Sequence, residues 1–217
     1  MIISASRRTD LPAYYSQWLL NRLKAGYVVT RNPMNRSQVS RVSLSPETVD
    51  CIIFWTKDPM PMMDKLPEID SMGYPYYFQF TLTPYGRDIE RNLREKGEIL
   101  RTFQQLSGLL GKERIVWRYD PIILNDSLTI PYHLQRFEQL CCALSGYTDL
   151  CIISFVDLYS KLSRAIKSNV IREISTGEMF EIAEEFSQIA QRYGMELRSC
   201  SEKQDLSQFH ILPAACI

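Results

Sequence analysis

The chain has 217 residues, is 45% apolar and 23% charged, and sets 25 lysines and arginines against 25 aspartates and glutamates. That is enough chain for one sizeable core, and the zero net charge removes any general electrostatic drive toward nucleic acid or an anionic membrane while leaving a local basic patch open. No apolar run reaches the roughly 18 residues of a membrane span. The N-terminus passes straight into Arg7 and Arg8 without the apolar run of a signal peptide. Six cysteines without a Cys-x-x-Cys pair read as free thiols of a reducing cytoplasm.

Residues 2–6 read as a first strand that leaves through Arg7, Arg8, Thr9 and Asp10. A helix over 12–25 follows, with Pro12 suited to its first turn, an apolar stripe of Trp18, Leu19 and Leu23, and Gly26 as its stop. The second strand, 27–30, leaves through Arg31, Asn32 and Pro33. Residues 38–44 alternate apolar with polar and read as a strand of an inserted hairpin, and Ser45, Pro46 and Glu47 read as the start of a short helix. The third core strand, 51–54, leaves through Trp55, Thr56, Lys57, Asp58 and Pro59. A helix broken by Pro61 and Pro67 covers 60–72, a fourth strand covers 76–82 with Thr81 at its exit, and 87–110 reads as the longest helix.

Arg114, Ile115 and Val116 then lead into Trp-Arg-Tyr-Asp-Pro at 117–121. A strand interior has no use for an arginine, a tyrosine and an aspartate in a row. The stretch therefore reads as the outlet of a buried fifth strand, stopped by Pro121, which has no N–H to donate. A helix over 130–144, a sixth strand over 150–155 leaving through Asp157, Tyr159 and Lys161, a helix over 176–193 and a seventh strand over 195–200 with Glu202 beyond it complete the pattern. Residues 209–217 are short and apolar.

Seven apolar strands alternating with helices predict an α/β fold of repeated βα units with right-handed crossovers, in one domain over residues 1–217. Polar exits on nearly every strand favour a TIM-like or partial (β/α) barrel with an inserted hairpin after its second strand. A doubly wound sheet would gather its chemistry at one switch point. Neither a dinucleotide fingerprint nor a phosphate loop occurs.

In such a barrel the exits meet at one mouth. Arg8, Asp10, Lys57, Arg118, Asp120, Asp157 and Glu202 are expected to carry chemistry, with Ser6, Arg7, Arg31, Asn32, Trp55, Thr81, Tyr119 and Lys161 as ligand contacts. Arginine forks grip phosphate or carboxylate, and crowded opposite charges shift pKa values as acid–base work requires. The expected ligand is a small anionic or nucleotide-like molecule. The plainer reading pairs these charges with one another at solvated strand ends. A non-catalytic module for a phosphate ligand or a nucleic-acid end, and a metal-dependent hydrolase or isomerase holding its ion through Asp120, Asp157 and Glu202, are the other readings. His133 and His210 lie away from any exit, and two histidines make a poor zinc site. A serine hydrolase has no motif here.

The motifs Ser-Ala-Ser-Arg-Arg-Thr-Asp-Leu-Pro (4–12), Arg-Asn-Pro (31–33), Phe-Trp-Thr-Lys-Asp-Pro (54–59), Gln-Phe-Thr-Leu-Thr (79–83), Trp-Arg-Tyr-Asp-Pro (117–121) and Ile-Ser-Phe-Val-Asp (153–157) together resemble a bacterial family catalogued as domain of unknown function 1848. The resemblance runs from the first strand to the end of the chain. It implies that complete members continue into a Cys-x-x-x-Cys-x-x-Cys-like tail similar to a radical-SAM ligand set. Three thiolates there would leave one iron of a [4Fe–4S] cluster open to S-adenosylmethionine or substrate. By the same resemblance Cys216 stands where that tail begins. The expectation for residues 1–217 is a chain that lacks the tail, holds no cluster by itself and self-associates through an open sheet edge.

Overall fold

The structure, a computed structural model, describes residues 1–5, 9–32, 34, 35, 37–157 and 170–214. The expectations for Ser6, Arg7, Arg8, Pro33, Tyr159, Lys161 and Cys216 lie outside the described residues.

The chain divides into two compact units, Met1–Phe80 and Thr81–Ile217. The first contains β1 (Ile2–Ala5), α1 (Leu11–Tyr14), α2 (Ser16–Ala25), β2 (Tyr27–Arg31), β3 (Val39–Ser43), β4 (Cys51–Thr56), α3 (Met60–Met63), α4 (Leu66–Ser71) and all but the end of β5 (Tyr76–Thr81). The second contains α5 (Lys96–Leu110), β6 (Ile115–Ile122), α6 (Ile130–Leu144), β7 (Leu150–Phe155), α7 (Thr176–Arg192), β8 (Glu196–Ser199) and β9 (Leu212–Pro213). All strands except β2 and β3 belong to a seven-stranded sheet in the order β1-β4-β5-β6-β7-β8-β9. The pairings β1–β4, β4–β5, β6–β7, β7–β8 and β8–β9 are parallel. No helix among the described residues is long and apolar enough to cross a membrane.

In the first unit β4 buries Ile52, Ile53 and Phe54 in succession, as a parallel strand covered on both faces must. Phe54 packs against Phe78 at 5.0 Å between ring centroids and edge-on to Tyr76 at 5.5 Å. The helix expected over 12–25 is two helices, broken at Tyr15. The second of them turns Leu19, Leu20 and Leu23 inward and ends at Gly26, whose φ of 71° is the left-handed conformation that a Cβ disfavours.

The strand expected over 27–30 does form, but not in the main sheet. β2 pairs antiparallel with β3, Val28 opposite Val42, and Val29, Thr30 and Arg31 remain exposed. A strand half-buried only at Tyr27 and Val28 suits a two-stranded ribbon, not a sheet covered on both sides. The seventh place in the main sheet goes to β9, two residues long and without a readable pattern. Residues 46–48 are a turn and not a helix, closed by the Thr48 N–H donating to the Ser45 carbonyl at 2.9 Å. The long helix begins at Lys96, not at 87. In the stretch before it, Glu90 is turned inward to accept from Thr83 Oγ1 at 3.0 Å and from Lys96 Nζ.

The second unit is built around rings. Phe137 of α6 stacks on Phe186 of α7 at 3.8 Å and on Trp117 of β6 at 5.2 Å, and meets Tyr119 edge-on at 5.3 Å. Trp117 donates its indole N–H to the Leu82 carbonyl at 2.9 Å. α7 opens with a capping box in which Ser175 and Glu178 satisfy each other's backbone N–H. Arg172 and Ser175 bond the Glu178 carboxylate and hold its pKa down to about 2. Pro121 does not stop β6. The strand runs on to Ile122, and a register shift against β7 between Tyr119 and Ile122 absorbs the missing donor. Cys51, Cys141, Cys142 and Cys151 are free thiols, Cys141 and Cys151 buried, whereas Cys200 is disulfide-bonded and departs from the all-thiol expectation.

Candidate functional site

Side chains alternate along a strand, so Arg118 and Asp120 fall on one side of β6 and Tyr119 on the other. Arg118 is only 3% exposed. Its Nε and Nη2 both donate to Asp120 Oδ2, at 2.9 and 2.5 Å. The second oxygen, Oδ1, accepts from Ser154 Oγ of β7. Asp120 lies in the stretch where the register shifts, which re-aims a side chain at a strand end. Arg118 is thus not an exposed outlet cation, as the sequence led one to expect. It is an interior cation neutralised two residues along its own strand.

Tyr119 is fully buried, and the expectation that it contacts ligand is corrected. Its hydroxyl lies 2.8 Å from His133 Nδ1, and His133 Nε2 lies 2.8 Å from the Ile123 carbonyl. A carbonyl only accepts, so the proton sits on Nε2 and Nδ1 accepts from the tyrosine. Burial lowers the His133 pKa and keeps the ring neutral. Tyr85, also buried, donates to the Pro121 carbonyl at 2.7 Å and accepts from the Ile123 N–H at 2.9 Å. These bonds fix the path of the chain just beyond Asp120.

Glu202 follows β8 directly after Ser201, which holds a left-handed φ of 59°. Its Oε1 accepts the Phe155 N–H at the end of β7, at 2.8 Å. Burial raises its pKa, the Phe155 bond opposes that rise, and the negative charges of Asp157 and Asp120 add to it. Glu202 therefore feels the carboxylates at the ends of β6 and β7. Glu202 also lines two cavities. One, of about 290 Å³, is walled by Ser199, Ser201, Gln204 and Pro213, and the other, of about 170 Å³, by Asp157, Glu173, Met179 and Lys203.

In the first unit Asp10 is occupied by the fold. Its carboxylate caps α1 through the Ala13 N–H at 2.9 Å and accepts from Thr56 Oγ1 at 2.9 Å and the Lys57 N–H at 2.8 Å. Burial raises its pKa, and these bonds pull against the rise. Such a group ties the start of α1 to the end of β4 and leaves little acceptor capacity for chemistry. Trp55, Lys57 and Thr81 lie half-buried at the ends of β4 and β5. Arg31 and Asn32 lie on the β2–β3 ribbon and are not exits of the main sheet. There Asn32 closes the hairpin tip, donating to Gln38 Oε1 at 2.7 Å and accepting from the Met34 N–H at 2.9 Å.

Among the described residues no group of three or more histidine, cysteine, aspartate or glutamate side chains is arranged to hold a metal ion. Asp120, Asp157 and Glu202 do not form a cation cage. The described cysteines do not gather into a set that would hold an iron–sulfur cluster. Ser154, Ser201 and Gln204 were not foreseen as site residues. The available signal for Ser154 was a lone hydroxyl inside the apolar run of β7.

Compared with known families, the model described as "Domain of unknown function (DUF1848)" matches residues 2–217. No curated protein matches the chain. Among solved structures, one similar chain is described as "Crystal structure of D-hydantoinase", at 11% identity and a TM-score of 0.36, covering 72% of this chain and 34% of that one. A likeness at that level carries no argument about fold or chemistry.

Proposed function

The chain belongs to the DUF1848 family, and from that premise we propose an enzyme-type α/β domain, wound as a TIM-like or partial (β/α) barrel, that binds a small polar molecule at the C-terminal ends of β6, β7 and β8 and moves a proton there through Glu202. Strand order supports the winding. In each unit every new strand of the main sheet is laid beside its predecessor, whereas a doubly wound sheet reverses direction at a switch point.

The observation that carries the chemical reading is the setting of Glu202. Its ionised form is disfavoured by burial and by Asp157 and Asp120, while one bond from the Phe155 N–H fixes its position. A carboxyl so placed keeps its proton to higher pH than an ordinary glutamate, the property of a general acid. Asp120, braced by Arg118 and Ser154, contributes a fixed negative charge that Glu202 feels. The anionic ligand expected from the sequence rested on Arg118. With that guanidinium bonded to Asp120 and carboxylates gathered at the strand ends, a neutral or cationic, hydroxyl-rich molecule is the better match.

A fragment screen on 15N-labelled protein tests this, with polyols, amines and phosphate esters as separate sets. Binders from the first two sets should shift the amides of Phe155, Ser201 and Glu202, and Glu202→Gln should weaken them about tenfold or more, the size of one hydrogen bond to a charged group. Hits that leave those amides unmoved would end the reading, and shifts from phosphate esters alone would restore an anionic ligand.

A further inference from the structure

Glu202 and Gln204 are the two described residues that line both strand-end cavities. The larger, about 290 Å³, otherwise takes its walls from the end of β8 and from β9 and its flanks. The smaller, about 170 Å³, takes them from the end of β7 and from Ile174 and Met179. Glu202 therefore stands at the divide between two spaces built from different elements. Cavities that hold small molecules run to roughly 300–1,000 Å³. Each of these falls short alone, and together they fall within that range. A ligand of ordinary size uses both and crosses Glu202.

At the divide, Glu202 Oε1 is taken by the Phe155 N–H, and Oε2 has no hydrogen bond among the described residues. Oε2 is thus the oxygen left to carry the proton. The Gln204 side-chain amide, both a donor and an acceptor, has no hydrogen bond among the described residues either. A proton donor placed between two cavities acts on a bond that joins their contents.

The charge around that bond selects its kind. Asp120 and Asp157 place negative charge near Glu202. A phosphodiester would bring its own negative charge into that field. An acetal carbon instead gains positive charge as its leaving oxygen departs, which nearby carboxylates favour. Given the reading of Glu202 as an acid, on which this step rests, we propose that the substrate is an O-glycoside, with one hydroxyl-rich part in each cavity and the linking oxygen over Glu202, and that the reaction is its hydrolysis. Glu202 gives its proton to the linking oxygen as the bond from that oxygen to the acetal carbon breaks. A water molecule adds its hydroxyl to the carbon. Its other proton passes to the Asp157 carboxylate in the smaller cavity, from which solvent returns it to Glu202.

Disaccharides of glucose, galactose, mannose and N-acetylglucosamine, and dinitrophenyl glycosides of the same sugars, test this on the whole chain. A bound disaccharide should shift the amides of Ser201 and Asp205 in the larger cavity and of Asp157 and Met179 in the smaller. Single sugars should shift one set only. Glu202→Gln keeps an acceptor for the Phe155 N–H. It should slow disaccharide hydrolysis about 100-fold or more, and dinitrophenyl glycosides by less than about tenfold, because dinitrophenolate leaves without needing a proton. Met179→Trp, which fills the smaller cavity from a half-buried position, should stay folded in melting curves and lose disaccharide hydrolysis. Equal slowing of both substrates by Glu202→Gln would make its role structural and overturn the proposal. Sugars that bind without being cleaved, or shifts confined to one cavity, would overturn it while leaving Glu202 as an acid. Amides of Phe155, Ser201 and Glu202 unmoved by every sugar and polyol would remove both readings.

Discussion

Asp120→Ala should destabilise the protein by about 3 kcal/mol, because it removes the carboxylate bonded to the Arg118 guanidinium in the interior of β6. The side chains of Arg118 and Asp120 are 4% and 24% exposed, so the cation has far less access to water than its partner. That asymmetry sets the order of the variants. Removing Arg118 leaves a carboxylate that water still reaches, and Arg118→Ala should cost less than Asp120→Ala. Asp120→Asn, which keeps an acceptor in place, should fall between wild type and Asp120→Ala. Urea midpoints at constant m-value check the series. A loss below about 1 kcal/mol for Asp120→Ala would place the pair among surface ion pairs and remove the brace on which the site depends.

Phe137→Ala should cost about 3–5 kcal/mol, the range for deleting a fully buried ring. Phe137 is 0% exposed and is held on three sides by Trp117, Phe186 and Tyr119. These rings come from β6, α6 and α7, so the cavity left behind cannot be closed by moving a single side chain. Phe137→Leu, which keeps most of the volume, should cost roughly 1.5 kcal/mol or less. The same urea series reads both. A loss of similar size for Leu and Ala would show that stacking geometry, not filled volume, stabilises this core.

Much of the frame was legible in the sequence because it follows local rules. β4 and β7 are continuous apolar runs, and both are buried parallel strands. The helix expected over 176–193 forms as α7 one residue shorter, with Ser175 as its cap. What was not legible depends on partners distant in the chain or on a neighbour's side chain. Arg118 looked like an outlet because a charge seldom sits inside a strand, yet Asp120 two residues on makes that position tolerable. Asp10 looked reactive, and its acceptors are taken by Ala13, Thr56 and Lys57. β2 had the composition of a core strand, and only its antiparallel pairing with β3 and the exposure of Val29, Thr30 and Arg31 tell it apart.

The site was half legible. Asp120, Asp157 and Glu202 were readable as groups at strand ends. That Glu202 would accept the Phe155 N–H, and that Asp120 would take both Arg118 and Ser154, required the register of three strands.

The central claim is that Glu202 is a half-buried acid held in place at the ends of β7 and β8. The most direct measurement is the pH titration of the Phe155 amide and the Glu202 side-chain carboxyl by NMR, in wild type and Asp157→Asn. A folded-state pKa above the unfolded one means that stability from this group falls as pH rises from the ordinary glutamate value through the raised one. The expected result is one shared titration above the ordinary value of 4.5, moving down when the Asp157 charge is removed. Titration at or below that value, or no response to Asp157→Asn, would contradict it.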